Sequence, residues 1–154
     1  MKEDLEPIIR QQPFFQGLED RHIKLITGCA KNVRYDGGKV IFREGDPANQ
    51  FFLIREGQVA IEVMIPHRGF TTIQTVQAGD LLGWSWLFKP YRWHFGARTQ
   101  RPTRALAFDG KCLRGKCEKD HDLGYEFFKR FTQLMIDRLE ATRLQLLDLY
   151  GSNA

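Results

Sequence analysis

A chain of 154 residues with 42% hydrophobic and 27% charged positions has room for one folded core, which excludes a wholly disordered polymer. Its net charge of +4 admits an anionic partner, but the basic residues are scattered from Lys2 to Arg143 rather than gathered on one helix, against the habit of nucleic-acid readers. No apolar run approaches the roughly 20 residues that cross a bilayer, and Met1–Asp4 is acidic where a secretory signal would be apolar, so a cytoplasmic address without membrane attachment is expected.

Residues 1–31 read as helical. Leu5, Ile8 and Ile9 make a short apolar side before Pro13 breaks the pattern. Leu18-Glu19-Asp20 opens a second helix, with Ile23, Leu25 and Ile26 as its apolar side and Gly28 near its end. From residue 32 to 108 the period changes to short strands. Lys39–Phe42, Gln50–Ile54, Gln58–Ile65, Thr71–Val76 and Arg104–Phe108 are the clearest, and Val59, Ile61, Val63 and Ile65 alternate onto one face. Glycine corners at Gly37-Gly38, Gly45, Gly57, Gly69 and Gly79 supply the reversals between them. Short strands at this spacing predict a closed sandwich or barrel.

Residues 109–150 return to a helical pattern. The final helix is expected from about Tyr125 to Leu149, with Gly151 past its end. That is roughly 37 Å of helix, too long to bury on one small barrel. Phe128, Phe131, Met135, Leu139, Thr142, Leu146 and Leu149 follow one another at three or four residues and form a coiled-coil-like seam, while Phe127 and Leu134 start a second line that can face the barrel. The seam predicts a homodimer. The alternative is a lone helix folded wholly against the roll.

The chemistry-bearing residues are sparse. His22, His67, His94 and His121 show no paired spacing, so no metal site is expected. Cys29, Cys112 and Cys117 make an odd set without framework spacing, which predicts ordinary thiols in a reducing compartment. Neither a Gly-x-Ser-x-Gly elbow nor a Walker-type phosphate loop is present, and an enzyme is not expected.

Three stretches carry a family likeness. Val40-Ile41-Phe42-Arg43-Glu44-Gly45-Asp46-Pro47-Ala48, then Phe51–Ile61 with its central Glu56-Gly57, then Gly79-Asp80-Leu81-Leu82-Gly83 resemble the corners of the cyclic-nucleotide-binding domain of catabolite-activator-type regulators and kinase regulatory subunits. The resemblance implies a mainly β fold: a jelly-roll-like β-roll with N-terminal helices and a long C-terminal helix, spanning 1–154 as a single domain. It also implies a small-molecule sensor that pairs through its last helix.

The phosphate-binding cassette departs from that family. Members that bind cyclic AMP follow the glycine matching Gly83 with a glutamate for the ribose, and about ten residues later carry an arginine and a serine or threonine for the phosphate. Here Trp84 follows the glycine, and His94 and Phe95 stand at the second place, followed by Gly96 and Ala97. Any guanidinium must come from Arg92 or Arg98, or be replaced by protonated His94. Each lost charged hydrogen bond costs roughly 1.5–3 kcal/mol, so an altered or degenerate pocket is expected, with no resident cofactor. Gly83, Trp84, Ser85, Trp86, Leu87, Arg92, His94, Phe95, Gly96, Ala97 and Arg98 are the candidate ligand residues. Their aromatics either stack a planar cyclic nucleotide or other small anionic effector, or fill the space one would take.

Three functions stay open on this reading. The first is a stand-alone effector sensor that signals to a partner protein through its C-terminal helix. The second is an interaction module with a self-filled pocket, and the third is the sensor fragment of a transcription regulator. The residues present contain no helix-turn-helix, so no specific DNA binding by this chain is expected.

Overall fold

The computed structural model describes residues 4–151. Eight strands make the roll: β1 (Ala30–Tyr35), β2 (Val40–Phe42), β3 (Gln50–Glu56), β4 (Gln58–Ile65), β5 (Gly69–Gln77), β6 (Leu81–Leu82), β7 (Gly96–Thr99) and β8 (Thr103–Asp109). Helices α1 (Glu6–Arg10) and α2 (Asp20–Thr27) precede it, separated by a 3-10 turn at Pro13–Phe15. Helices α3 (Gly110–Lys119) and α4 (His121–Gly151) follow. The two sheets are antiparallel, in the orders β1-β8-β3-β6 and β2-β7-β4-β5. This is the mainly β roll with flanking helices that the sequence predicts.

The core lies between the sheets, where Phe52, Ile54, Val59, Ile61, Leu82 and Ala107 are buried together. The alternation expected along β4 holds only in part. Val59, Ala60 and Ile61 are all buried, and a bulge between Ile61 and Glu62 resets the register against β5. A second apolar layer covers the opposite face of the first sheet. Phe51 and Phe108 stack at 4.5 Å, Phe15 leans on Phe108 at 5.7 Å and Trp86 lies on Phe51 at 5.0 Å. Pro13-Phe14-Phe15 is therefore more than a helix break, because the 3-10 turn delivers Phe15 to that layer. Gly57 shows why its corner needs glycine: its φ is +113°, and a Cβ would stand 2.7 Å from the Pro102 carbonyl oxygen.

The described chain divides into two compact units, one ending at Lys116 and one beginning at Cys117, so the boundary between them falls inside α3. The second unit is essentially α4, 31 residues and about 46 Å long, starting four residues earlier than expected. No helix among the described residues is long and apolar enough to cross a membrane.

The cysteines require a correction. Cys29 and Cys112 are bonded as a disulfide, with Cα atoms 6.0 Å apart. Their separation of 83 residues hid the pair, since only folding brings the end of α2 beside the start of α3. Cys117 remains a free thiol, and burial, with Asp120 and Glu118 nearby, pushes its pKa up to about 11.

Candidate functional site

After β6 the chain turns at Gly83 with φ +99° and passes into a single 3-10 turn at Ser85–Leu87. One turn is too short to offer a helix N-terminus to an anion. It points inward instead: Ser85 and Trp86 are fully buried, and Leu87 nearly so. Trp86 belongs to the outer aromatic layer with Phe51.

The returning segment is held to the first corner by backbone bonds. Gly45 N–H donates to Trp93 O at 2.8 Å, Trp93 N–H to Asp46 O at 3.0 Å, and Ala48 N–H to Tyr91 O at 2.7 Å. From there the side chains alternate. Trp93, Phe95, Ala97 and Thr99 point in and are buried, while Arg92 and His94 point out and are exposed. The charged grip placed in the pocket by sequence thus sits outside the roll. Arg92 Nη1 donates to Gly45 O at 2.9 Å, and Arg98 pairs with Glu62 at 3.2 Å while lying over the Phe70 ring. His94 Nδ1 and Ser85 Oγ are hydrogen-bonded at 3.0 Å, a polar link between the two halves of the cassette.

Trp93 occupies the roll interior in their place. Its indole stacks on Phe42 at 3.6 Å and 8°, and Phe95 tilts against both Trp93 and Trp84. The indole edge lies so close to Gly83 that a Cβ there would meet two ring carbons at 2.6 Å. Among the described residues the buried polar side chains of the roll are Ser85, Thr99 and Thr103, none of them charged. The interior therefore offers no counter-charge to a phosphate. Helix α3 also reaches this segment: Arg114 donates to the Trp86 carbonyl and its guanidinium covers the Tyr91 ring at 4.0 Å.

Residues 32–120 match the profile of the cyclic nucleotide-binding domain family. This chain belongs to that family. The family is one of sensor and regulatory domains, not of catalysts. A member from Geobacter metallireducens, named as a cyclic nucleotide-binding protein, has a solved structure that superposes with a TM-score of 0.80 at 28% identity, covering 87% of this chain and 97% of that one. A cyclic nucleotide-binding domain from Methylobacillus flagellatus superposes with a TM-score of 0.78 at 20% identity, over 94% of this chain and 82% of that one. Among curated proteins, a CRP-like cAMP-activated global transcriptional regulator of Mycobacterium tuberculosis is 24% identical over 145 residues, 94% of this chain and 63% of the regulator. The cyclic nucleotide-gated ion channel 18 of Arabidopsis thaliana is 34% identical over 77 residues, 49% of this chain and 11% of the channel. The chain thus spans less than two thirds of the length of these curated relatives.

Within the family frame, sequence reasoning missed Trp93 and Arg114. The first was detectable, because Trp93, Phe95, Ala97 and Thr99 recur with period two against Arg92, His94 and Arg98. For Arg114 no local signal exists, since its partner Trp86 is 28 residues away. Of the seven seam residues, Phe131 is fully buried within the chain itself, its ring tilted against Phe127 at 6.0 Å. Met135 is half-buried. Phe128, Leu139, Thr142, Leu146 and Leu149 are exposed, joined by Ile136, Leu144, Leu147 and Tyr150.

Proposed function

We propose that this chain is a regulatory domain of the cyclic nucleotide-binding fold whose effector space is taken by its own aromatic side chains, and that it acts through protein contacts of its C-terminal helix in the cytoplasm. The observation that carries this reading is Trp93, whose indole lies against Gly83 and on Phe42 where a nucleotide would need room. With Trp84 after the glycine and both arginines turned outward, two charged hydrogen bonds are missing, the glutamate's to the ribose and the arginine's to the phosphate. Their combined cost is about 3–6 kcal/mol, or two to four powers of ten in affinity.

Isothermal calorimetry is the direct check. Cyclic AMP and cyclic GMP should bind with dissociation constants weaker than about 0.1 mM, and His94→Ala should change neither. Tighter binding of either nucleotide would overturn the self-filled reading.

A second reading, a small planar effector, has one observation in its favour. A cavity of about 360 Å³ opens beside Trp93, lined among others by Phe42, Phe52, Asn49, Gln50 and Asp46. Its carboxylate and amides favour an uncharged or cationic ring over an anion. Native mass spectrometry of the purified protein would show such a molecule as retained mass.

The exposed face of α4 is the proposed contact surface. Leu139 is 67% and Leu149 61% exposed, and a run of such side chains on a charged helix is unfavourable in water unless covered. A second copy of the same helix is the occupant the seam suits. Leu139→Lys combined with Leu146→Glu should yield a folded monomer by light scattering, and a wild type that is monomeric at high concentration would end the homodimer proposal.

A further inference from the structure

Cys29 follows the end of α2 and leads into β1, while Cys112 stands in the first turn of α3. The bond between them is one of several ties on α3. Asp109 N–H donates to Cys29 O at 2.9 Å, Gly110 N–H to Asn49 O at 2.7 Å, and Lys116 Nζ to Leu25 O at 2.7 Å. A cleft of about 430 Å³ opens at the disulfide, its lining including both cysteines, Lys31, Lys111, Gln50 and Asp109. Two lysines and one carboxylate are thus among its lining residues, and Asp109 Oδ1 accepts from the Cys112 N–H at 3.1 Å. Cys112 itself is only half-buried.

We propose that the Cys29–Cys112 bond is a reversible thiol–disulfide exchange site for small anionic thiols, and that its state sets how firmly α3 holds the segment from residue 84 to 93. The cleft admits a molecule of that size to Cys112, and Lys31 and Lys111 attract a carboxylate-bearing one. The incoming thiolate attacks Cys112 Sγ, the S–S bond breaks, and Cys29 leaves as a thiolate that takes a proton from water. A second thiol then displaces the first from Cys112. The two small thiols depart as their own disulfide, and two electrons have passed to the protein pair. The consequence travels along α3: two residues after Cys112, Arg114 holds the Trp86 carbonyl and covers Tyr91. Opening the bond loosens the helix that carries this arginine.

The oxidised full chain is treated in native buffer with glutathione or with cysteamine at equal thiolate concentration, quenched by alkylation and read by intact and peptide mass. Glutathione should form an adduct on Cys112 and then the dithiol, about 5-fold faster than cationic cysteamine. Lys31→Glu with Lys111→Glu should reverse that order. Hydrogen exchange should rise at residues 84–93 after reduction and remain unchanged in β4 and β5. Cys112→Ser, checked for folding by circular dichroism, should show the raised exchange without any reductant. Opening only under denaturant, equal rates for the two thiols in wild type and lysine variant alike, or loop exchange indifferent to reduction would each overturn the proposal.

Discussion

Trp93→Ala should lower the free energy of unfolding by about 3–5 kcal/mol, the range for truncating a large buried side chain whose neighbours cannot collapse into the gap. Trp93 is 4% exposed and stacked face to face on Phe42. Urea unfolding followed by tryptophan-independent circular dichroism would read the change, and a loss below about 1 kcal/mol would show that Trp93 is not part of the core. A second variant tests the contact itself. Gly83→Ala suffers twice, from a left-handed φ of +99° and from Trp93 ring carbons 2.6 Å from the new Cβ. The backbone part, about 1–2 kcal/mol, stays when the indole is removed, but the clash does not. The double variant should therefore be more stable than the sum of the two losses predicts, by about 1 kcal/mol or more. Added indole should raise the melting temperature of Trp93→Ala and leave wild type unmoved, because an apolar cavity of that shape accepts an apolar guest.

How much of this was legible beforehand divides along the range of the interactions. Strands announced by glycine corners and β-branched runs appear where expected, β4 to the residue. β1, β6 and β7 were not read as strands. β6 is two residues long, and β7 is Gly-Ala-Arg-Thr, a sequence with weak strand preference that forms because β2 and β4 flank it. The site shows the same division. Gly83 and the aromatic density around it are local and were singled out. Which aromatic enters the roll depends on strand parity, and reading the segment as a binding loop instead of a strand edge sent attention to His94 and the arginines, one residue out of phase with the interior. The disulfide and the Arg114 contact were beyond reach, because each joins positions 28 to 83 residues apart and depends on the finished fold.

Reducing the Cys29–Cys112 bond should cost the protein about 3–5 kcal/mol of stability. The closed loop spans 83 residues and contains all eight strands, so in the unfolded chain the cross-link restrains nearly the whole roll. Chain-entropy arithmetic for a loop of that length gives about 4.5 kcal/mol at 25 °C. Comparison of oxidised and phosphine-reduced wild type is the clean measurement, since no side chain is replaced and Cys29, buried at the end of α2, keeps its packing. Two signatures should accompany the loss. The urea m-value should rise on reduction, because an unfolded chain freed of its cross-link exposes more surface. Cys112→Ser should give one denaturation curve with or without the phosphine, at a midpoint close to that of reduced wild type. The remaining thiol at Cys117 does not confuse the reading: held largely protonated by its pKa of about 11, it reacts slowly in the folded protein. A reduced wild type within about 1 kcal/mol of the oxidised form would mean that the unfolded chain keeps the two ends of the roll close together without the bond, so that the cross-link removes little of its freedom.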